Sequence, residues 1–222
     1  MYNTFFSEDH DLFRQSLRDF LEKEVQPHVD KYEEDRFIPR SVFQRFGEMG
    51  YFGMSFPEQY GGLDLDFFYN VIFSEEMARM NSGGLDASLG SHFALALVHI
   101  NAEGNEAQKQ KYLVPGINGD IVGCLAITEP FGGSDVAAMR STAIRDGDEW
   151  VINGSKTFIT NGVYSDFLVV AAKTNPEAGA KGVSMFIIDR DAPGVSATKL
   201  KKLGWHASDT GEIAFDEVRI PA

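Results

Sequence analysis

With 222 residues, 43% of them hydrophobic, the chain is long enough for one large domain or two small ones with a buried core. A formal charge of −13, from 20 Lys+Arg against 33 Asp+Glu, argues against a nucleic-acid partner, because phosphate backbones select clustered basic side chains. The single cysteine, Cys124, excludes an intrachain disulfide, and no apolar run approaches the ~20 residues of a membrane-spanning helix.

The opening MYNTFFSEDH has neither the basic region nor the hydrophobic stretch of an export signal. A soluble globular protein is expected, in a bacterial cytoplasm or, if a transit segment has been removed, a mitochondrial matrix. Leu12, Phe13, Leu17, Phe20, Leu21 and Val25 then recur at helical spacing, and Pro27 is expected to end that helix. A second helix fits PRSVFQRFGEM, with Pro39 at its first position and Gly50 as its left-handed cap. The glycine-rich YGGLDL connects to two long helices, DFFYNVIFSEEMARM and DASLGSHFALALVHINAEG. A last helix starts at Asn105, whose capping is supported by Gln108.

From Ile121 the rhythm changes to short runs rich in Val, Ile, Phe and Thr. STAIR, EWVIN, SKTFIT, DFLVVAAK, GVSMFIID, GVSATKL and GEIAFDEVRI read as strands, and Asp146-Gly147, Asn153-Gly154 and Asn161-Gly162 read as turns. The expected fold is α+β: a helical domain over residues 1–119, then an antiparallel β-sandwich or barrel over residues 120–222. The last strand ends at EVRIPA with nothing to cover the far side of the sheet, so a further domain is expected beyond it.

The usual chemical signatures are missing: no dinucleotide-binding glycine motif, no phosphate loop, no HExxH and no paired cysteines. His92 and His99 share a helix but lack a third ligand at metal spacing, so no metal is expected. Glu75, Glu76 and Arg79 read as a salt-bridged or solvated helix face, and the KLKK run, Lys199 to Lys202, as a solvated strand edge or loop.

The stretch AITEPFGGSD differs. Gly132 and Gly133 permit a chain path in which backbone N–H groups converge on an anion, with the Ser134 hydroxyl beside them. Leu125, Ala126, Ile127 and Thr128 could present amides and one hydroxyl along the pyrimidine edge of a flavin, although a plain loop after a strand explains the same residues. In NGSKTFITNG, strand alternation puts Phe158 and Thr160 on one face, where a ring and a hydroxyl could meet a planar ligand or form half of a core.

Together these segments resemble the middle domain of the acyl-CoA dehydrogenases. AITEPFGGSDVAA is similar to that family's first signature, and YGGLDL, FITNG and DTGEIAFDEVRIP fall around it in the family's order. The resemblance covers essentially the whole chain, and its wording is closest to long-chain and related bacterial members. It implies FAD as cofactor and an acyl-CoA thioester as substrate, with electron-transferring flavoprotein as acceptor and a homo-oligomeric full-length enzyme. By this resemblance Leu125, Ala126, Ile127 and Thr128 line the flavin, and Ser134 lies near the FAD pyrophosphate and the pantetheine arm of the substrate. Phe158 covers the ring where many members have tryptophan, and Ile159 and Thr160 continue the contact. In the family a glutamate takes the α proton while the β hydrogen leaves as hydride to the flavin, and that glutamate belongs to a C-terminal helical domain. No residue of this chain is therefore assigned the catalytic role, Glu129 included, and the chain alone is expected to be inactive and to retain flavin weakly. Two alternatives stand beside this reading: an acyl-CoA oxidase or flavin monooxygenase of the same fold, and a non-catalytic ligand-binding module.

Overall fold

A computed structural model describes residues 5–222; Met1 to Thr4, the start of the helical domain, lie outside the described residues. Helix α1 (Glu8–Phe20) opens on a capping box in which Ser7 Oγ accepts the His10 N–H. Pro27 does not end the helical path. A π turn (Leu21–Val25) and a 3₁₀ turn (Gln26–His28) carry the chain past it into α2 (Val29–Asp35), which Arg36 closes at a left-handed φ of 54°. Leu17, Phe20, Leu21 and Val25 are buried as their spacing requires, whereas Leu12 lies off the stripe and is exposed.

Helix α3 (Arg40–Glu48) begins one residue later than expected, with Pro39 as its N-cap. It ends at Gly50, whose N–H donates to Gly47 O at 2.8 Å while the Tyr51 N–H donates to Phe46 O at 3.0 Å, a double C-terminal closure. Helix α4 (Phe67–Ala78) follows, capped by Asp66, and then α5 (Gly83–Gly90), a π turn (Ser91–Ala96) and α6 (Leu97–Glu103) run as one rod. Asn105 and Gln108 form the expected reciprocal cap, both hydrogen bonds at 2.9 Å, and start α7 (Glu106–Gln108). After α8 (Val114–Ile117) only short 3₁₀ turns interrupt the strands.

The helical core is aromatic. Phe46, Phe52 and Phe73 are fully buried, with Phe46 stacked on Phe52 at 5.9 Å and Phe73 edge-on to Phe93 at 5.2 Å. Glu76 turns inward from α4 to meet α1, accepting from Arg18 at 2.8 and 2.9 Å and from Arg14 at 3.1 Å. The Arg18 hydrogen bond leads in holding its carboxyl below the usual range, so on the face read as salt-bridged Glu76 is the buried hub, while Glu75 and Arg79 stay exposed.

Seven strands follow: β1 (Gly123–Ala126), β2 (Thr142–Asp146), β3 (Glu149–Thr160), β4 (Phe167–Lys173), β5 (Val183–Asp189), β6 (Val195–Lys199) and β7 (Thr210–Pro221). They form a curled sheet in the order β1-β4-β2-β3-β7-β6, with β5 also paired to β4. The long ladders are antiparallel, but β1 runs parallel to β4, from Gly123 opposite Phe167 to Ala126 opposite Val170. A parallel pair needs a long crossover, and the excursion through β2 and β3 supplies it.

EWVIN and SKTFIT are one strand. Asn153-Gly154 forms a bulge on β7, where the Asn153 side chain accepts the Glu217 N–H at 2.9 Å. Gly154 sits at a φ of 146° against Ser141, so a Cβ there would lie 2.3 Å from Ser141 Oγ. The pair marks a close approach of β3 to the residue just ahead of β2 and not a hairpin turn. Asp146-Gly147 and Asn161-Gly162 do make turns.

Alternation along β4 joins the two halves. Phe167 and Val169 belong to the helical core, while Leu168 and Val170 belong to a second core inside the sheet. His92, fully buried on the rod, accepts the Gly123 N–H at Nδ1 (3.0 Å) and donates from Nε2 to Gly116 O (2.9 Å). Burial pushes this histidine down to about 4, so it stays neutral and serves as a clamp between rod and β1. No helix among the described residues is long and apolar enough to cross a membrane.

Candidate functional site

A cleft of about 440 Å³ lies between the α5 rod and the sheet. Leu125, Phe158 and Thr160 form its sheet wall, Ala87, Gly90 and Phe93 belong to its helical wall, and Trp205 lines it from the loop before β7. The rod is held at this distance by polar contacts as well as apolar ones. Asn161 Nδ2 donates to Ser88 O at 2.8 Å, and Ser91 Oγ donates to Thr160 O at 3.2 Å.

Phe158 owes its position to a bulge. Between Lys156 and Ile159 the β3–β7 register slips, and Phe158 takes a left-handed φ of 59°. A bulky residue there costs about 1–3 kcal/mol, and its ring is 69% exposed. Its neighbours compensate: Lys156, Thr157 and Ile159 are buried on either side. The chain thus spends strain to turn an aromatic ring outward into the cleft.

The two segments singled out in the sequence are bound to each other. The Thr157 N–H donates to Thr128 O at 2.8 Å, and Lys156 Nζ donates to Ile127 O at 3.1 Å and to Glu129 Oε1 at 2.8 Å. Glu129 also accepts the backbone N–H groups of Arg140 and Ser141. Burial pushes the Glu129 carboxyl up, but Lys156, Ser141 and these amides outweigh it and hold the group at about 2. A carboxylate so fully engaged fixes the segments in register and is a poor proton acceptor.

Of the eight residues singled out, Leu125, Phe158 and Thr160 line the cleft with their side chains. Ala126 and Ile159, one step along their strands, point into the sheet core and are 0% and 3% exposed, which leaves only backbone for a ligand. Ile127 and Thr128 lie just past the end of β1 and are half-buried. Ser134 is exposed in the following loop. The expected convergence of amides at Gly132 and Gly133 is not formed, because neither glycine takes a left-handed φ and the Gly132 N–H donates to Glu129 O at 3.1 Å. Gly133 instead lies against Thr128.

Sequence reasoning missed Trp205 and Asp86, both of which line the cleft. Trp205 sits at a φ of 55°, its indole lying over Gly83, where a Cβ would come within 2.5 Å of Nε1. Lys202 secures this loop, donating to Trp205 O (2.7 Å), Ser208 O (2.9 Å), Ser208 Oγ (2.7 Å) and Thr210 Oγ1 (2.9 Å). The last lysine of KLKK is therefore an internal staple and not part of a solvated edge. The paired glycines Gly83 and Gly84, which open α5 where a side chain would be normal, were the available signal of a close neighbour.

Comparison with known proteins bears on what this cleft serves. Residues 7–120 match "Acyl-CoA dehydrogenase, N-terminal domain" and residues 124–218 match "Acyl-CoA dehydrogenase, middle domain". The mouse "Long-chain specific acyl-CoA dehydrogenase, mitochondrial" is 38% identical over 98% of this chain and 51% of its own length. The crystal structure of an acyl-CoA dehydrogenase from Geobacillus kaustophilus superimposes with a TM-score of 0.93 at 41% identity, covering 99% of this chain and 58% of that one. A glutaryl-CoA dehydrogenase from Mycobacterium smegmatis, solved in complex with FADH2, superimposes with a TM-score of 0.91 at 31% identity over 98% of this chain and 55% of that one. The chain thus spans about half the length of the relatives it matches. Two family domains in order, over nearly every residue, establish that this chain belongs to the acyl-CoA dehydrogenase family.

Proposed function

We propose that residues 1–119 and 120–222 are the helical and middle β domains of an FAD-dependent acyl-CoA dehydrogenase that converts fatty acyl thioesters to trans-2-enoyl thioesters. The observation that carries this reading is the single cleft shared by Leu125, Phe158 and Thr160, backed by the tie between Thr128 and Thr157. The residues present fit a flavin: an exposed aromatic ring, an adjacent hydroxyl and an apolar side chain share one wall, a set suited to a planar heterocycle with one polar edge. Bound FAD would supply the hydride acceptor.

Phe158 would cover the ring face, with Thr160 offering its hydroxyl beside it. Leu125 and the backbone of Ala126, Ile127 and Thr128 would meet the pyrimidine side, the backbone of Ile159 would continue the contact, and Ser134 would serve the pyrophosphate and the pantetheine arm. The rod and Trp205 narrow the cleft opposite Phe158. Glu129 is occupied with Lys156, so no carboxylate of these 222 residues is assigned as the base, and the chain on its own is proposed to be inactive. Electron-transferring flavoprotein is the proposed acceptor and a homo-oligomer the proposed assembly. Titration of the chain with FAD, followed by tryptophan fluorescence, tests the reading. Saturable quenching that weakens several-fold in Phe158→Ala is expected, and a linear response identical in both proteins would overturn it.

A further inference from the structure

The helical wall of the cleft is chemically uneven. Phe73, Ala87, Phe93, Ala94 and Leu95 make it largely apolar, and this surface matches an alkyl tail and not the polyanionic nucleotide end of a coenzyme A thioester. Among the described residues that line the cleft, Asp86 is the only one with an ionisable side chain; no Lys, Arg or His joins it. Asp86 stands in the first turn of α5, where the positive end of the helix dipole favours an anion. Asp86 is solvent-exposed at the mouth of the cleft, and desolvation by the atoms packed around it pushes its carboxyl up from the usual aspartate range.

The solved and curated relatives include enzymes named for a long-chain acyl group and for a glutaryl group. These substrates differ in their far end: a fatty tail is neutral, whereas a glutaryl tail ends in a carboxylate. A second carboxylate in this cleft would meet Asp86 with no cation of the lining to separate them, and like charges held close repel.

We propose that Asp86 is a specificity-determining residue that admits acyl thioesters with uncharged tails and rejects those ending in a carboxylate. This rests on reading the cleft as the acyl-CoA site. The test is calorimetric titration of the 222-residue chain, with FAD in excess, using octanoyl-CoA and the monothioester of octanedioic acid with CoA. The neutral ligand is expected to bind at least about tenfold tighter. Asp86→Asn should shrink the gap to about threefold or less, chiefly by strengthening the carboxylated ligand, and Asp86→Lys should reverse the preference. Equal affinities in the unaltered chain, or a gap that survives both substitutions, would overturn the selection while leaving the acyl-CoA reading intact. Binding of neither thioester would overturn that reading and the selection with it.

Discussion

Phenylalanine does opposite work in two regions of this molecule. In the helical core Phe46, Phe52 and Phe73 are fully buried and meet other rings on several sides, so their area is removed from water and their role is cohesion. Phe158 leaves most of its ring in the cleft and holds a backbone angle that disfavours any side chain. The first arrangement stabilises the fold and the second costs it, which marks the second as retained for something other than stability.

Substitutions in the two regions should therefore diverge. Phe52→Ala should lower unfolding stability by about 3–5 kcal/mol in urea titrations, since the vacated volume lies among packed rings. A similar loss, about 3–5 kcal/mol, is expected for Lys156→Met, which leaves Glu129 buried without its cation; adding Glu129→Gln should recover much of it. If Lys156→Met were neutral, the two cleft-wall segments would not depend on that pair for their register.

Acid sharpens the contrast between the structural clamps. His92 is held neutral at about 4 in the folded protein, against about 6.5 when unfolded, so below pH 6.5 the unfolded chain takes up a proton that the folded one refuses. Stability should fall by about 3 kcal/mol between pH 6.5 and 4, and His92→Gln should flatten that part of the profile. Glu129 acts lower down. Its folded value of about 2 is depressed, so its contribution is complete above the unfolded carboxylate range and fades as pH falls through that range towards 2. The smallest effect has the opposite sign: Phe158→Gly should raise stability by up to about 1 kcal/mol by relieving the left-handed strain, while weakening flavin binding.

Local chemistry was legible in the sequence wherever a few neighbouring residues decide the outcome. The Asn105–Gln108 box, the Gly50 cap and the Asn161-Gly162 turn each follow from side chains within a few positions. That AITEPFGGSD and NGSKTFITNG serve one site was legible only through their joint resemblance to the acyl-CoA dehydrogenases, because each pattern alone also fits a plain loop or half of a core. What depended on distant partners was not. Asn153-Gly154 has turn composition but forms a bulge, since the space beside Gly154 is set by Ser141, just ahead of β2. Lys202 looked solvated because the acceptors that draw it inward lie across a loop whose path only the folded chain defines. Asp86 escaped notice for the same reason: a lone aspartate early in a helix is ordinary, and its place in the cleft depends on the sheet opposite.

The central claim is that the Leu125–Thr128 and Phe158–Thr160 segments grip one planar flavin. Amide chemical-shift mapping of the isotopically labelled chain during FAD titration tests it most directly. Saturable shifts should concentrate on Leu125 to Thr128 and Phe158 to Thr160 together, with the Trp205 indole N–H responding in parallel. Shifts confined to one segment, or clustered elsewhere with both segments silent, would contradict the account.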